Sequence, residues 1–332
     1  MGLALTRRTF LQGAAVAGLS TAMPGIGRAA TAPLTMQAAW INDAEFSGYF
    51  LAMDKGFYTE QGLDLTYLSG GPDVIPESSI IAARADLALT TPDTTIRAIV
   101  EQGAKFKIIG AQYQKSPHGI ISLAKTPINS PADLVGKTVA VPPVNVATME
   151  ALLKINNVDR NAVNNVDRNA VNIVPYAYDP TPLVKGEIDA SLDFVTNVPY
   201  SIQQMGEEPH SFLLYDYGVT IFNDTVVVTE ETLAAKRAEL VAWLRASRKG
   251  WDENLVDPAK YPPQWEQSWF KGTGRTIANE VYFNTAQKDL ILSPAGAFSM
   301  TEDAIQKCLT ALSAVGITGT RDMFDTTLLE EL

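Results

Sequence analysis

FSGYFLAMDKGFY, residues 46–58, places Phe46, Tyr49, Phe50 and Met53 at i, i+3, i+4 and i+7, one face of an α-helix. Asn42, followed three residues later by Glu45, reads as an N-cap pair, and Gly56 as the left-handed residue beyond the helix end. Gly62 then turns the chain into the alternating run LDLTYL (63–68), and LTMQAAW (34–40) stands before the helix as a first strand. The unit is strand–helix–strand.

Working outward, the pattern recurs. Strand-like runs follow at ADLALT (85–90), KIIGAQY (107–113), GIISLAK (119–125), KTVAVP (137–142), VNIVPY (171–176), DASLDF (189–194) and SFLLYDY (211–217), with helical segments between most of them. Thr91-Pro92-Asp93 and Ser130-Pro131-Ala132-Asp133 each set a cap and an N1 proline before a helical stretch. Asn145 precedes VATMEALLKIN. This alternation predicts an α/β fold with mostly parallel sheets. From about Glu230 the pattern becomes mainly helical.

The N-terminal segment, residues 1–30, carries Arg7 and Arg8, a weakly apolar run and small residues around Ala29 and Ala30. It reads as a twin-arginine export signal cleaved near Ala29-Ala30, with an ordinary secretory signal or an N-terminal anchor as alternatives. No later run approaches the roughly 18 consecutive apolar residues of a membrane span. The expectation is a soluble, periplasmic protein. Without its three signal arginines the chain keeps 23 basic side chains against 37 acidic ones, a net charge of −14 that disfavours nucleic acid and anionic lipid as partners. About 300 residues remain, enough for two ordinary domains. Cys308 is the only cysteine, so no intramolecular disulfide forms, and its helical setting suits a buried apolar residue.

NVDRNAVN occurs at 157–164 and again, letter for letter, at 165–172. Eight residues are too few for a solenoid unit. Lying between a helix and the next strand, the duplication falls at the sheet edge opposite the strands' carboxyl ends, where doubling a loop costs only ~0.6 kcal/mol.

Catalytic constellations are nearly absent, and no motif asks for enzyme chemistry. His118 and His210 are the only histidines, neither at metal-ligand spacing, and no nucleophile elbow, P-loop or dinucleotide fingerprint appears. His118 reads as a loop or hinge residue, His210 as part of a solvated turn, and SGGPD (69–73) as a turn. The informative feature is the set of loops that follow strands: INDAE (41–45), GGPDVIP (70–76), TPD (91–93), PPVNVAT (142–148), YDPTP (178–182) and VTNVP (195–199). Each is rich in Asn, Asp, Thr or Pro. Singly such residues make turns; as a recurring set they suit the rim of a small-molecule cleft. The candidate ligand-binding residues are Trp40, Asn42, Asp43, Tyr49, Thr90, Thr91, Tyr113, Asn145, Asp193, Asn197 and Tyr217. Lys115 and Lys125 are the only basic residues near these loops, against Asp43, Glu45, Asp73, Asp93, Asp179 and Asp193, so a neutral or weakly basic ligand is favoured. Helix N-termini keep a small anion open.

GYFLAMDKGFYTEQGLDL, ADLALTTPD, INSPADLVGKTVAVP, VKGEIDASLDFVTNVP and VVVTEETLAAKRAELVAWLRASRKGW, in that order, resemble the substrate-binding proteins of ABC importers, in the group that binds thiamine-pyrimidine precursors, nitrate, sulfonates and taurine. The resemblance implies a type II periplasmic-binding fold: lobe one from 33–118 plus 226–332, lobe two from 119–225, crossings near 114–124 and 219–229, and ligand between the lobes. It implies a monomer without cofactor, metal or catalytic residue, which delivers a nitrogen heterocycle to an ABC permease and ATPase. Alternatives are a small-anion binder, a sensory module docking on a membrane receptor, and a pyrimidine-synthase-like enzyme on the same fold. Two positions depart from the pyrimidine-precursor pattern: Phe46 stands where a histidine is expected, and TNVP replaces a TNEP-like motif at Val198.

Overall fold

A computed structural model describes residues 31–158 and 171–332. The proposed export signal and most of the duplicated octapeptide lie outside the described residues. Ten strands form two five-stranded sheets. In chain order they are β1 (Ala32–Gln37), β2 (Leu63–Leu68), β3 (Leu87–Thr90), β4 (Phe106–Tyr113), β5 (His118–Leu123), β6 (Thr138–Val141), β7 (Asn172–Pro175), β8 (Ala190–Phe194), β9 (Pro209–Leu213) and β10 (Asn223–Thr229). The first sheet runs β2-β1-β3-β10-β4 and the second β7-β6-β8-β5-β9.

The sheets are mixed rather than mostly parallel. β1 is parallel to β2 and β3, and β6 to β7 and β8. β10 is antiparallel to β3 and β4, and β5 to β8 and β9. The two reversed strands are those entered straight from the other sheet, across 114–117 and 218–222. Lacking a crossover helix to carry the chain back to the starting end, each runs against its neighbours. Both halves also share one local device. Asp86 Oδ2 accepts from Thr35 N at 2.8 Å, and Asp189 Oδ2 accepts from Thr138 N at 2.8 Å, each pair 51 residues apart.

The opening stretch forms the helix Ser47–Asp54, ended at Gly56 with φ +73°. Its cap differs from the expectation by one residue. Asp43, not Asn42, accepts from Glu45 N, at 3.0 Å, and caps the 3₁₀ turn Ala44–Phe46. Phe46, Tyr49 and Phe50 are fully buried: Tyr49 stacks on Trp243 at 5.6 Å and Phe50 on Trp269 at 4.6 Å. The other side of the helix, bearing Gly48 and Ala52, packs on the long helix Arg237–Val256 through glycines. A Cβ on Gly48 would meet Trp251 at 2.2 Å, and one on Gly250 would meet the Gly48 carbonyl at 2.1 Å.

Elsewhere the capping box at Ser130 and Asp133 is present, and Cys308 is buried on the helix Glu302–Ser313. His210 lies within β9 rather than in a turn, and SFLLYDY ends in a 3₁₀ turn at Leu214–Tyr217. No helix among the described residues is long and apolar enough to cross a membrane.

Candidate functional site

The two sheets face each other across a cavity of about 470 Å³, lined by all six of the strand-following loops. Seven of the eleven candidate residues line it: Trp40, Asp43, Thr90 and Thr91 from the first sheet's loops, and Asn145, Asp193 and Asn197 from the second's. The other four lie elsewhere. Asn42 accepts from the Tyr67 hydroxyl at 3.1 Å. Tyr49 belongs to the apolar stripe that the helix buries. Tyr113 is buried and donates to Gln287 Oε1. Tyr217 donates to the Asn129 carbonyl at 2.7 Å and packs edge-on against Phe212.

Several contacts join the walls. Trp40 meets Tyr178 with ring centroids 5.1 Å apart, and Asn279 Nδ2 donates to Asn197 Oδ1 at 3.0 Å. Aromatic surface continues inward. Phe194 packs edge-on against the His118 ring at 4.8 Å and lies 6.5 Å from Phe283. His118 opens β5 with Nδ1 3.0 Å from Ser116 Oγ, and burial lowers its pKa to about 4, leaving a neutral imidazole at pH 7.

The depth of the cavity is acidic. Asp43, Glu45, Asn223 and Asp224 are buried there. Arg275, just before the cap residue Thr276 of the helix Ile277–Ala286, brings Nη2 within 3.1 Å of Asp43 Oδ2. Its Nε is 3.9 Å from Glu280 Oε1, while Glu280 Oε2 accepts from Ala44 N at 2.6 Å. Burial raises Asp43 to about 6, although Arg275 pulls it down. Burial likewise raises Glu280 and Asp224 to about 7, and Glu45 well above the carboxylate range. The neighbouring Asp224 and Asp43 carboxyls raise Glu45 further. On the opposite wall burial raises Asp193 to about 6, with Phe194 N donating to Oδ1 at 2.6 Å. Asn223 Oδ1 has no hydrogen-bond partner among the described residues. Asp224 (φ +47°) and Tyr178 (φ +60°) hold left-handed backbone, a strain that concentrates at functional sites.

These acids make stability depend on pH in a definite sense. A carboxyl with a raised folded-state pKa contributes stability below its unfolded value near 4, which is lost as pH rises through 6–7. His118, lowered from 6.5, acts oppositely, losing its contribution as pH falls below 6.5. Above pH 6.5 only the acids remain. Denaturant titration should therefore show stability falling between pH 6.5 and 8, by up to about 1.4 kcal/mol per pH unit for each proton released. Glu280→Gln should flatten that slope; a rising or flat wild-type slope would contradict the account.

Arg275 was not among the basic residues placed near the loops; neither Lys115 nor Lys125 lines the cavity. His118, Phe194, Asp224, Arg275 and Phe283 were also outside the candidate set. Among the described residues no His, Cys, Asp or Glu cluster is placed to hold a metal ion.

The two-sheet architecture with an interposed cavity is the periplasmic-binding-protein fold. The alkanesulfonate-binding protein SsuA from Xanthomonas axonopodis pv. citri, solved bound to MOPS, superposes with a TM-score of 0.64 at 15% identity, covering 90% of this chain and 100% of that one. Residues 43–261, about two thirds of the sequence, match the NMT1/THI5 like family, and the chain belongs to that family. It is 24% identical over 229 residues to the riboflavin-binding protein RibY of Chloroflexus aurantiacus, covering 68% of this chain. It is 26% identical over 227 residues to a formylaminopyrimidine-binding protein of Halalkalibacterium halodurans, covering 66% of this chain. The matched regions span 63% and 65% of those two relatives.

Proposed function

We propose that this protein is an extracytoplasmic solute-binding protein that delivers an amino-bearing nitrogen heterocycle to an ABC permease and its ATPase. One observation carries the reading: a cavity with aromatic walls holds buried carboxyls in its depth, and the single guanidinium that lines it among the described residues already faces two of them. Ring N–H and amino groups are the complement of such acceptors, and a flat ring complements Trp40, Tyr178 and Phe194. A sulfonate or nitrate would meet Asp43, Glu45, Asp193 and Asp224 with Arg275 as its only cationic contact, so the small-anion reading is disfavoured. The riboflavin-binding and formylaminopyrimidine-binding relatives accord with a heterocycle.

The action proposed is clamping. Ligand that touches both walls stabilises the form in which they meet, and Trp40–Tyr178 and Asn197–Asn279 are the contacts that form closes. Export by the twin-arginine segment, a periplasmic location and a monomeric state complete the proposal. It assigns no catalytic step: His118, the one imidazole among the described residues that line the cavity, is half-buried, neutral and packed on Phe194. Thermal-shift and calorimetric screening of aminopyrimidines, flavins, alkanesulfonates, taurine and nitrate tests it. Stabilisation by an amino heterocycle and none by the anions is expected; the reverse order would overturn the ligand class, and turnover of a bound compound would replace binding with catalysis.

A further inference from the structure

The cavity is chemically graded. Its carboxyls, Asp43, Glu45, Asp93, Asp193 and Asp224 among them, are buried or half-buried, whereas the most exposed of its large side chains are apolar: Ile75 is 65% exposed, Val144 68% and Tyr178 41%. These are three of the few large apolar side chains the described surface exposes, and all belong to one continuous cavity with the acids. Ile75 comes from the loop after β2 and Val144 from the turn after β6, so they stand on opposite walls. Prolines stiffen both rims: Pro72 and Pro76 on one side, Pro142 and Pro180 on the other. Rigid apolar rims bury surface at little cost in conformational entropy. At about 470 Å³ the space also falls in the roughly 300–1,000 Å³ range of pockets for drug-sized ligands, more than one small ring needs.

We infer that the ligand is two-ended: an amino-bearing ring reaches the carboxyls in the depth, and an apolar arm emerges between Ile75 and Val144 at the mouth. This rests on the heterocycle reading above and adds what the far end of the molecule must be. The arm crosses from one wall to the other, so Ile75 and Val144 select for it when the walls close. A polar chain there would leave both side chains in water and gain nothing.

A matched pair of probes tests this: 4-amino-2-methylpyrimidine and its 5-benzyl derivative, measured by calorimetry on the full chain. Burying the added ring should tighten binding about tenfold or more. The double variant Ile75→Ser/Val144→Ser, altered only at exposed positions, should bring the ratio of the two affinities close to one. Equal affinities in the wild type, or a ratio that survives the double variant, would overturn the inference while leaving the heterocycle reading intact; the rim would then serve some surface other than the ligand's. Binding of neither compound would overturn both.

Discussion

Exchanging Gly48 for alanine should destabilise the protein by about 2 kcal/mol, although alanine is the better helix former by roughly 0.5–1 kcal/mol. The added methyl would lie 2.2 Å from Trp251 Cδ2 and 2.4 Å from Cγ. That indole is fully buried, with its ring edge-on to Tyr49 at 5.8 Å, so it has nowhere to retreat. Overpacking a tight core costs about 1–3 kcal/mol and sometimes more, which outweighs the helix gain. Gly48→Val adds two further carbons and a stiff χ1. Against a typical total of roughly 5–15 kcal/mol, it should leave little folded protein at 37 °C. Urea denaturation followed by tryptophan fluorescence measures both. An alanine variant as stable as wild type would mean the two helices do not approach as closely as described.

Asp224→Asn should act on stability and binding with opposite signs. Asn tolerates the left-handed backbone at φ +47°, so the loop geometry survives. The substitution removes a carboxyl held in a buried cluster with Glu45 and Asp43, and the empty protein should gain stability at pH 8, where wild type must keep a charge there. The same change replaces a charged acceptor with a neutral amide. A hydrogen bond to a charged group contributes about 1.5–3 kcal/mol, so affinity for 4-amino-2-methylpyrimidine should fall roughly 10- to 100-fold. Asp193→Asn should lower affinity similarly from the opposite wall. Loss of both stability and binding in Asp224→Asn would indicate a structural acid; unchanged binding would remove it from the site.

Much of this was legible in the residues. LDLTYL is β2 without a shift, and the strand-following loops line the cavity because side chains at strand ends and caps face outward whichever sheet they join. β10 went unread because NDTVVVT runs straight into the helical EETLAA, and a buried run without alternation carries no period of its own. Missing it also hid the mixed direction of the sheets. Tyr49 and Tyr113 stood among the candidate residues, but their positions in a helix stripe and at a buried strand end commit them to the core. Arg275 and Phe283 reach the cavity from a helical segment about 50 residues beyond the last strand, and no local pattern encodes that return. Asp224, one residue into β10, escaped with its strand.

The placement of β10 has a consequence for how the chain assembles. It fills the gap between β3 and β4, pairing Thr225 with Thr90 and with Ala111. All five strands of the other sheet lie between those partners in sequence. During synthesis, β5–β9 can close from contiguous chain, while β3 and β4 wait as open edges for a partner that emerges more than a hundred residues later. Such distant pairing is slow and leaves strand edges exposed to other chains meanwhile. The same late strand delivers Asp224, so a nascent chain that stops short of it lacks that cavity carboxyl.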